Sequence, residues 1–141
     1  MERIGKDRIT ELPREGHEVI VLDSLARPGV EGNLAWLVAE HGTNIHHLHA
    51  DIRDRRAVDE AVQGVDAVFH FAAQVAVTTS LTDPRTDFDV NVGGTHRLIG
   101  ELLPPMVRRQ RGDVVVVTSD VVTNPRPSMA AYVSSKWGLE G

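Results

Sequence analysis

Short runs of β-type residues alternate along this chain with longer stretches of helical spacing, and that alternation constrains the fold more than any other feature of the sequence. The runs are "HEVIVLD" (17–23), "NIHHLHAD" (44–51), "AVFHFAA" (67–73) and "DVVVVTS" (113–119). Between them, "VEGNLAWLVAEHG", "RRAVDEAVQG" and a long piece from about Arg85 to Arg109 repeat their apolar residues at helical intervals, and Gly42, Gly64 and Gly112 stand where helix ends are expected. Parallel neighbours need a crossover long enough to return to the starting edge, and a helix supplies it. The pattern therefore predicts four parallel strands with helical crossovers in one doubly wound α/β domain over 1–141, with ligands at the carboxyl ends of the strands. Pro104 and Pro105 are expected to kink or end the last helix, because proline removes a backbone donor and crowds the preceding turn.

Composition narrows the function classes. With 41% apolar residues in 141 the chain can build a core, and a net charge of -5 gives no attraction to nucleic acid or to an anionic membrane surface. No cysteine is present, so disulfides and thiolate metal sites are excluded and a reducing, cytoplasmic setting is the expectation. The opening "MERIGKDRITELPREG" has no apolar core of the leader type, and no apolar run approaches the length of a membrane span.

The chemistry is expected at the strand ends. Asp23 closes the first run, where a carboxylate can accept both ribose hydroxyls of an adenine dinucleotide and repel a 2'-phosphate, which favours NAD over NADP; it can equally be a turn or capping aspartate, and nearby Arg27 weakens the preference. Asp51 closes the second, placed either to meet an adenine amino group or to cap the helix beginning near Arg55. Ala72 and Ala73 end the third run, small enough for a backbone to approach a flat or phosphorylated ligand, or for tight strand-to-helix packing. His46, His47 and His49 raise a metal question, but no acidic third ligand accompanies them, and a partly exposed edge strand accounts for them. Ser119 ends the fourth run, and Tyr132 and Lys136 lie four apart on the following helical stretch. A phenol titrates near 10, so a neighbouring ammonium is needed to stabilise phenolate at neutral pH; Lys136 supplies it, while the Ser119 hydroxyl can share one carbonyl oxygen with Tyr132.

Those residues resemble the short-chain dehydrogenase/reductase superfamily. The segments "GHEVIVLDSLARPGVEGNLAWL", "HADIRD" and "DAVFHFAAQVAVTTSLTDPRTDFDVNVGGT" are similar to its extended branch, the NAD-dependent epimerase/dehydratases, and over about 16–97 to the CDP-paratose 2-epimerase (CDP-tyvelose epimerase) family. The resemblance implies that Asp23 binds the adenosine ribose, that Asp51 and Ile52 meet the adenine, and that Ala72 and Ala73 line the cofactor. It implies further that Thr78, Thr79 and Ser80 lie near nicotinamide and sugar, that Lys136 also binds the cofactor, and that Asn91 joins Ser119, Tyr132 and Lys136 as a catalytic residue or serves as a buried hydrogen-bonding residue. From about 101 to 141, "LLPPM", "GDVVVVTS" and the serine-to-tyrosine spacing are instead similar to classical short-chain dehydrogenases, so the chain reads as a mosaic that changes style between about Thr95 and Leu103.

The branch's first strand and its G-x-x-G-x-x-G turn have no counterpart in the sequence, apart from Gly5 at the place of the last glycine. The expected architecture is thus a Rossmann-like, three-layer doubly wound sheet lacking its first strand and its C-terminal strands, with two strand edges left unpaired and Pro13 as a strain in the first helix. The expected function is NAD-dependent nucleotide-sugar epimerisation or dehydration, in a truncated or mosaic form. The alternatives are a classical alcohol dehydrogenase or ketoreductase acting on a small alcohol or ketone, and a non-catalytic α/β fragment. A homodimer through the helices of the fold is a further expectation.

Overall fold

The computed structural model describes residues 3–74 and 81–117, together with positions 123, 124, 130, 133, 134, 137 and 138. Two compact units divide the chain, Met1–Phe71 and Ala72–Gly141.

The first unit alternates as its sequence directs. Helix α1 (Arg3–Arg14) leads to strand β1 (Val19–Asp23), helix α2 (Val30–His41), a single 3-10 turn (Gly42–Asn44), strand β2 (Ile45–His49) and helix α3 (Arg55–Val62). Strands β1 and β2 pair in parallel, with Val19 opposite Ile45 and Asp23 opposite His49, and α2 is the crossover that parallel pairing requires. β-branched and aliphatic residues in "VIVLD" suit a pleated, half-buried surface. Gly42 ends α2 at φ 57, a left-handed conformation that costs glycine little, and Val38 O accepts its N–H. Leu37, Ile45, Ile52 and Val58 form the buried core of this unit, Val58 being 1% exposed.

Pro13 occupies the last turn of α1, where the helix has no further turn to lose. Its carbonyl is fully used, accepting the Gly16 N–H at 3.1 Å and the Asn44 side-chain amide at 3.2 Å. The expected strain is thereby confined to a helix end, and the Asn44 bond ties that end to the residue just before β2.

In the second unit Pro84 opens helix α4 (Pro84–Phe88), with Asp83 as its N-cap accepting the Thr86 N–H at 3.0 Å. A π-helical turn (Asp89–Gly94) follows, and then helix α5 (Thr95–Arg108). The expected piece from Arg85 to Arg109 is therefore three consecutive helical parts. Pro104 and Pro105 do not end it: each withholds a donor only from the turn before it, while both carbonyls remain available, and bonding continues beyond them with the Arg109 N–H on Pro105 O at 3.1 Å.

The strand expectation requires correction. Among the described residues the sheet has two strands, not four; 67–73 and 113–117 run without joining a ladder. A strand exists only with a partner, and among the described residues neither segment finds one. The side chains follow suit. Phe69 and Phe71 stack on each other at 6.3 Å with half their surface exposed, and Val115 and Val117 are 85% and 82% exposed while Val114 and Val116, on the opposite face of the extended chain, are about half covered.

Candidate functional site

At the carboxyl edge of the first unit, β1 and β2 end side by side. The Ala50 N–H donates to Asp23 O at 3.3 Å, so Asp51 begins one residue beyond the point where the two strand ends meet. His47 and His49, on one face of β2, reach across: Nε2 of His47 donates to Asp23 O at 3.3 Å and Nε2 of His49 to Ser24 O at 3.0 Å. Because both acceptors are carbonyls, each Nε2 carries the proton. The rings stack at 5.9 Å. The histidines thus clamp the end of β1, and among the described residues no group of three His, Asp or Glu side chains is placed to hold a metal ion.

Asp23 folds back on its own turn, Oδ1 accepting the Leu25 N–H at 2.7 Å. That bond holds Leu25 at φ 52, a conformation that branched apolar residues rarely adopt. Oδ2 of Asp23 takes no hydrogen bond among the described residues, which leaves one carboxylate oxygen as an acceptor at the sheet's carboxyl edge.

Asp51 is not the helix cap. The side chain that accepts from the first turn of α3 is that of Asp54, Oδ1 taking the Arg56 N–H at 2.9 Å and the Ala57 N–H at 3.3 Å. Asp51 instead pairs with Arg53 in a fork, Oδ1 with Nε at 2.9 Å and Oδ2 with the guanidinium NH2 at 2.8 Å, and Oδ1 also accepts the Arg53 N–H at 2.8 Å. A ligand amino group approaching Asp51 must share both oxygens with that guanidinium. The side chain of Ile52 is spent on packing, at 8% exposed.

In the second unit Asn91 sits in the π-helical turn, buried to 4% exposure, and its carboxamide holds the main chain of Gln74 at both polar groups. Oδ1 accepts the Gln74 N–H at 2.8 Å and Nδ2 donates to Gln74 O at 3.1 Å. The second Nδ2 proton goes to Oδ1 of Asp87, one turn earlier and 1% exposed, at 3.1 Å. The Thr95 N–H turns to Val92 O while the Thr95 hydroxyl donates to Asn91 O at 2.7 Å, so two carbonyls of the irregular turn are satisfied by one residue. Asn91 therefore fixes the residue that directly follows Ala72 and Ala73.

Gly5 lies in the first turn of α1. Thr78, Thr79, Ser80, Ser119, Tyr132 and Lys136 lie outside the described residues. Three participants escape a reading of the sequence: Arg53, Asp87 and Gln74. The first two had a readable signal, since an Asp two residues before an Arg is a local turn pair and Asp87 is one helical turn from Asn91. Gln74 takes part through its backbone, which no residue type announces.

The family model described as short chain dehydrogenase matches residues 1–141. CDP-paratose 2-epimerase from Salmonella typhi is 41% identical over 87 residues, 60% of this chain and 25% of that protein. UDP-glucose 4-epimerase from Halalkalibacterium halodurans is 32% identical over 126 residues, 88% of this chain and 34% of that protein. The crystal structure of UDP-glucose-4-epimerase from Stenotrophomonas maltophila, with bound NAD and formylated UDP-arabinopyranose, superposes with a TM-score of 0.69 at 28% identity, covering 97% of this chain and 43% of that one. The chain spans about a quarter to a third of the length of the curated relatives it matches.

Proposed function

The chain belongs to the short chain dehydrogenase family, and on that premise we propose that it serves NAD-dependent epimerisation or dehydration of a nucleotide sugar. The observation that carries this reading is the meeting of Asp23 and Asp51 at one carboxyl edge of a parallel pair, where an adenosine can be read by carboxylates. The likeness to two nucleotide-sugar epimerases supports the choice of substrate class.

The residues present fit the adenosine end of a nicotinamide dinucleotide. Oδ2 of Asp23 is the acceptor for a ribose hydroxyl, and the Asp51–Arg53 pair borders the adenine position. Taken by themselves, Ala72 and Ala73 of the second unit offer little side chain to a ligand lying against their backbone. Gly5 near the N-terminus of α1 is what the sequence offers the phosphates. When bound, the nicotinamide supplies a two-electron acceptor that can also return the hydride. Tyr132, as phenolate, takes the proton from the substrate hydroxyl, with Lys136 as the cation that favours that phenolate. The Ser119 hydroxyl donates to the oxygen on which charge develops. Replacing Tyr132 by Phe is expected to abolish turnover of a nucleotide sugar while leaving NAD affinity within about twofold; retained turnover overturns the acid/base assignment.

A second reading, net oxidation of a small alcohol, is favoured by the family model that runs the length of the chain. The two part on one observable. An epimerase returns its NAD unreduced, whereas a dehydrogenase accumulates NADH in proportion to product.

A further inference from the structure

Asp87 is among the most deeply buried side chains described, at 1% exposed, and neither the resemblance nor the acid/base chemistry gives it any task. Its place in the fold gives one. It lies in α4 four residues before Asn91, so the two side chains share a helical face across the start of the π-helical turn. Asn91 spends Oδ1 on the Gln74 N–H, one Nδ2 proton on Gln74 O and the other on Asp87. Both protons of the carboxamide are thereby fixed, and a rotation about its terminal bond would set its oxygen against two acceptor oxygens, one on Gln74 and one on Asp87. Oδ1 of Asp87 accepts that proton in a buried setting where water does not compete.

We infer that Asp87 is a positioning residue: it locks the Asn91 carboxamide in the one rotamer that grips both main-chain groups of Gln74, and so sets the backbone that follows Ala72 and Ala73. The inference rests on the proposed cofactor reading only for its consequence, which is that a dinucleotide lying against Ala72 and Ala73 finds that backbone already in place. Two hydrogen bonds from one side chain to a single residue's N–H and C=O imitate a strand partner. Gln74 follows a segment that joins no ladder among the described residues, so this side-chain grip stands where sheet bonds would otherwise fix the chain. The neighbouring Thr95 hydroxyl on Asn91 O holds the same residue by its main chain and leaves its side chain to Asp87.

The test is amide hydrogen exchange at Gln74, followed by NMR in the full chain without ligand, for Asp87→Leu, Asp87→Asn, Asn91→Ala and the Asp87→Leu/Asn91→Ala pair. Asn91→Ala is expected to speed exchange at Gln74 roughly tenfold or more, the loss of a buried hydrogen bond. Asp87→Leu should approach that value, and the double variant should add nothing beyond Asn91→Ala. Asp87→Asn keeps a neutral acceptor and is expected to recover most of the protection, within about fivefold of the parent; this variant carries the test where Asp87→Leu does not fold, through a displaced Asn91 side-chain amide resonance. Unchanged exchange at Gln74 in Asp87→Leu, an unmoved Asn91 side-chain resonance in Asp87→Asn, or additive effects in the double variant would overturn the inference, as would a uniform rise across the whole second unit. An NAD titration of the same proteins separates the two readings: a parent that binds no NAD sinks the cofactor proposal, while the exchange series still decides the role of Asp87.

Discussion

Leu25 shows how much one residue can be made to carry. It sits at φ 52 because its N–H is drawn to Oδ1 of Asp23, and that bond shapes the turn in which the candidate ribose acceptor stands. A left-handed conformation costs a residue with a β-carbon about 1–2 kcal/mol, and asparagine bears it better than leucine. Leu25→Asn is therefore expected to stabilise the chain by about 0.5–1 kcal/mol, read as a higher urea midpoint at unchanged slope; a lower midpoint would show that the leucine side chain contributes packing that outweighs the strain. The sequence exposes Asp23 as a strand-closing carboxylate but hides this cost, since nothing about "DSL" announces a positive φ. Asp51 is the complementary case. Its two sequence readings were an adenine contact and a helix cap; the structure gives the cap to Asp54, the residue directly before α3, and pairs the Asp51 carboxylate with Arg53.

Elements held by local chemistry were legible; elements that need a distant partner were not. Helix α3 begins where Asp54 can cap it and buries Val58 on its inner face, so its limits follow from residues within one turn. Asp54→Ala is expected to cost about 1 kcal/mol in chemical unfolding, with Asp54→Ser restoring most of it; no loss in Asp54→Ala would mean that solvent satisfies the first-turn amides as well as the carboxylate does. The β-type runs at 67–73 and 113–119 have the composition of strands, and their propensity is real, yet pairing is a property of neighbours. Amides of 19–23 and 45–49 should accordingly exchange far more slowly than those of 113–117, where Val115 and Val117 stand open to water. Strong protection at 113–117 would show a strand partner for that segment. The π-helical turn at Asp89–Gly94 was equally invisible in sequence, as were the bonds from Asp87, Gln74 and Thr95 that converge on the asparagine within it.

For the whole molecule, α/β alternation and the parallel crossover were readable from the start, and family membership follows from a match that runs from the first residue to the last. Among the described residues the sheet has fewer strands than its sequence promises, and its paired strands both lie in the first unit. The carboxyl edge of β1 and β2 is the proposed adenosine site. The most direct measurement is a calorimetric titration of NAD into the full chain and into Asp23→Asn, a variant that keeps an acceptor for the Leu25 N–H but turns the other carboxylate oxygen into a donor. Saturable binding that weakens about tenfold or more in the variant, with unfolding unchanged, is the predicted result; absence of binding to the parent, or equal affinity in the two proteins, would contradict it.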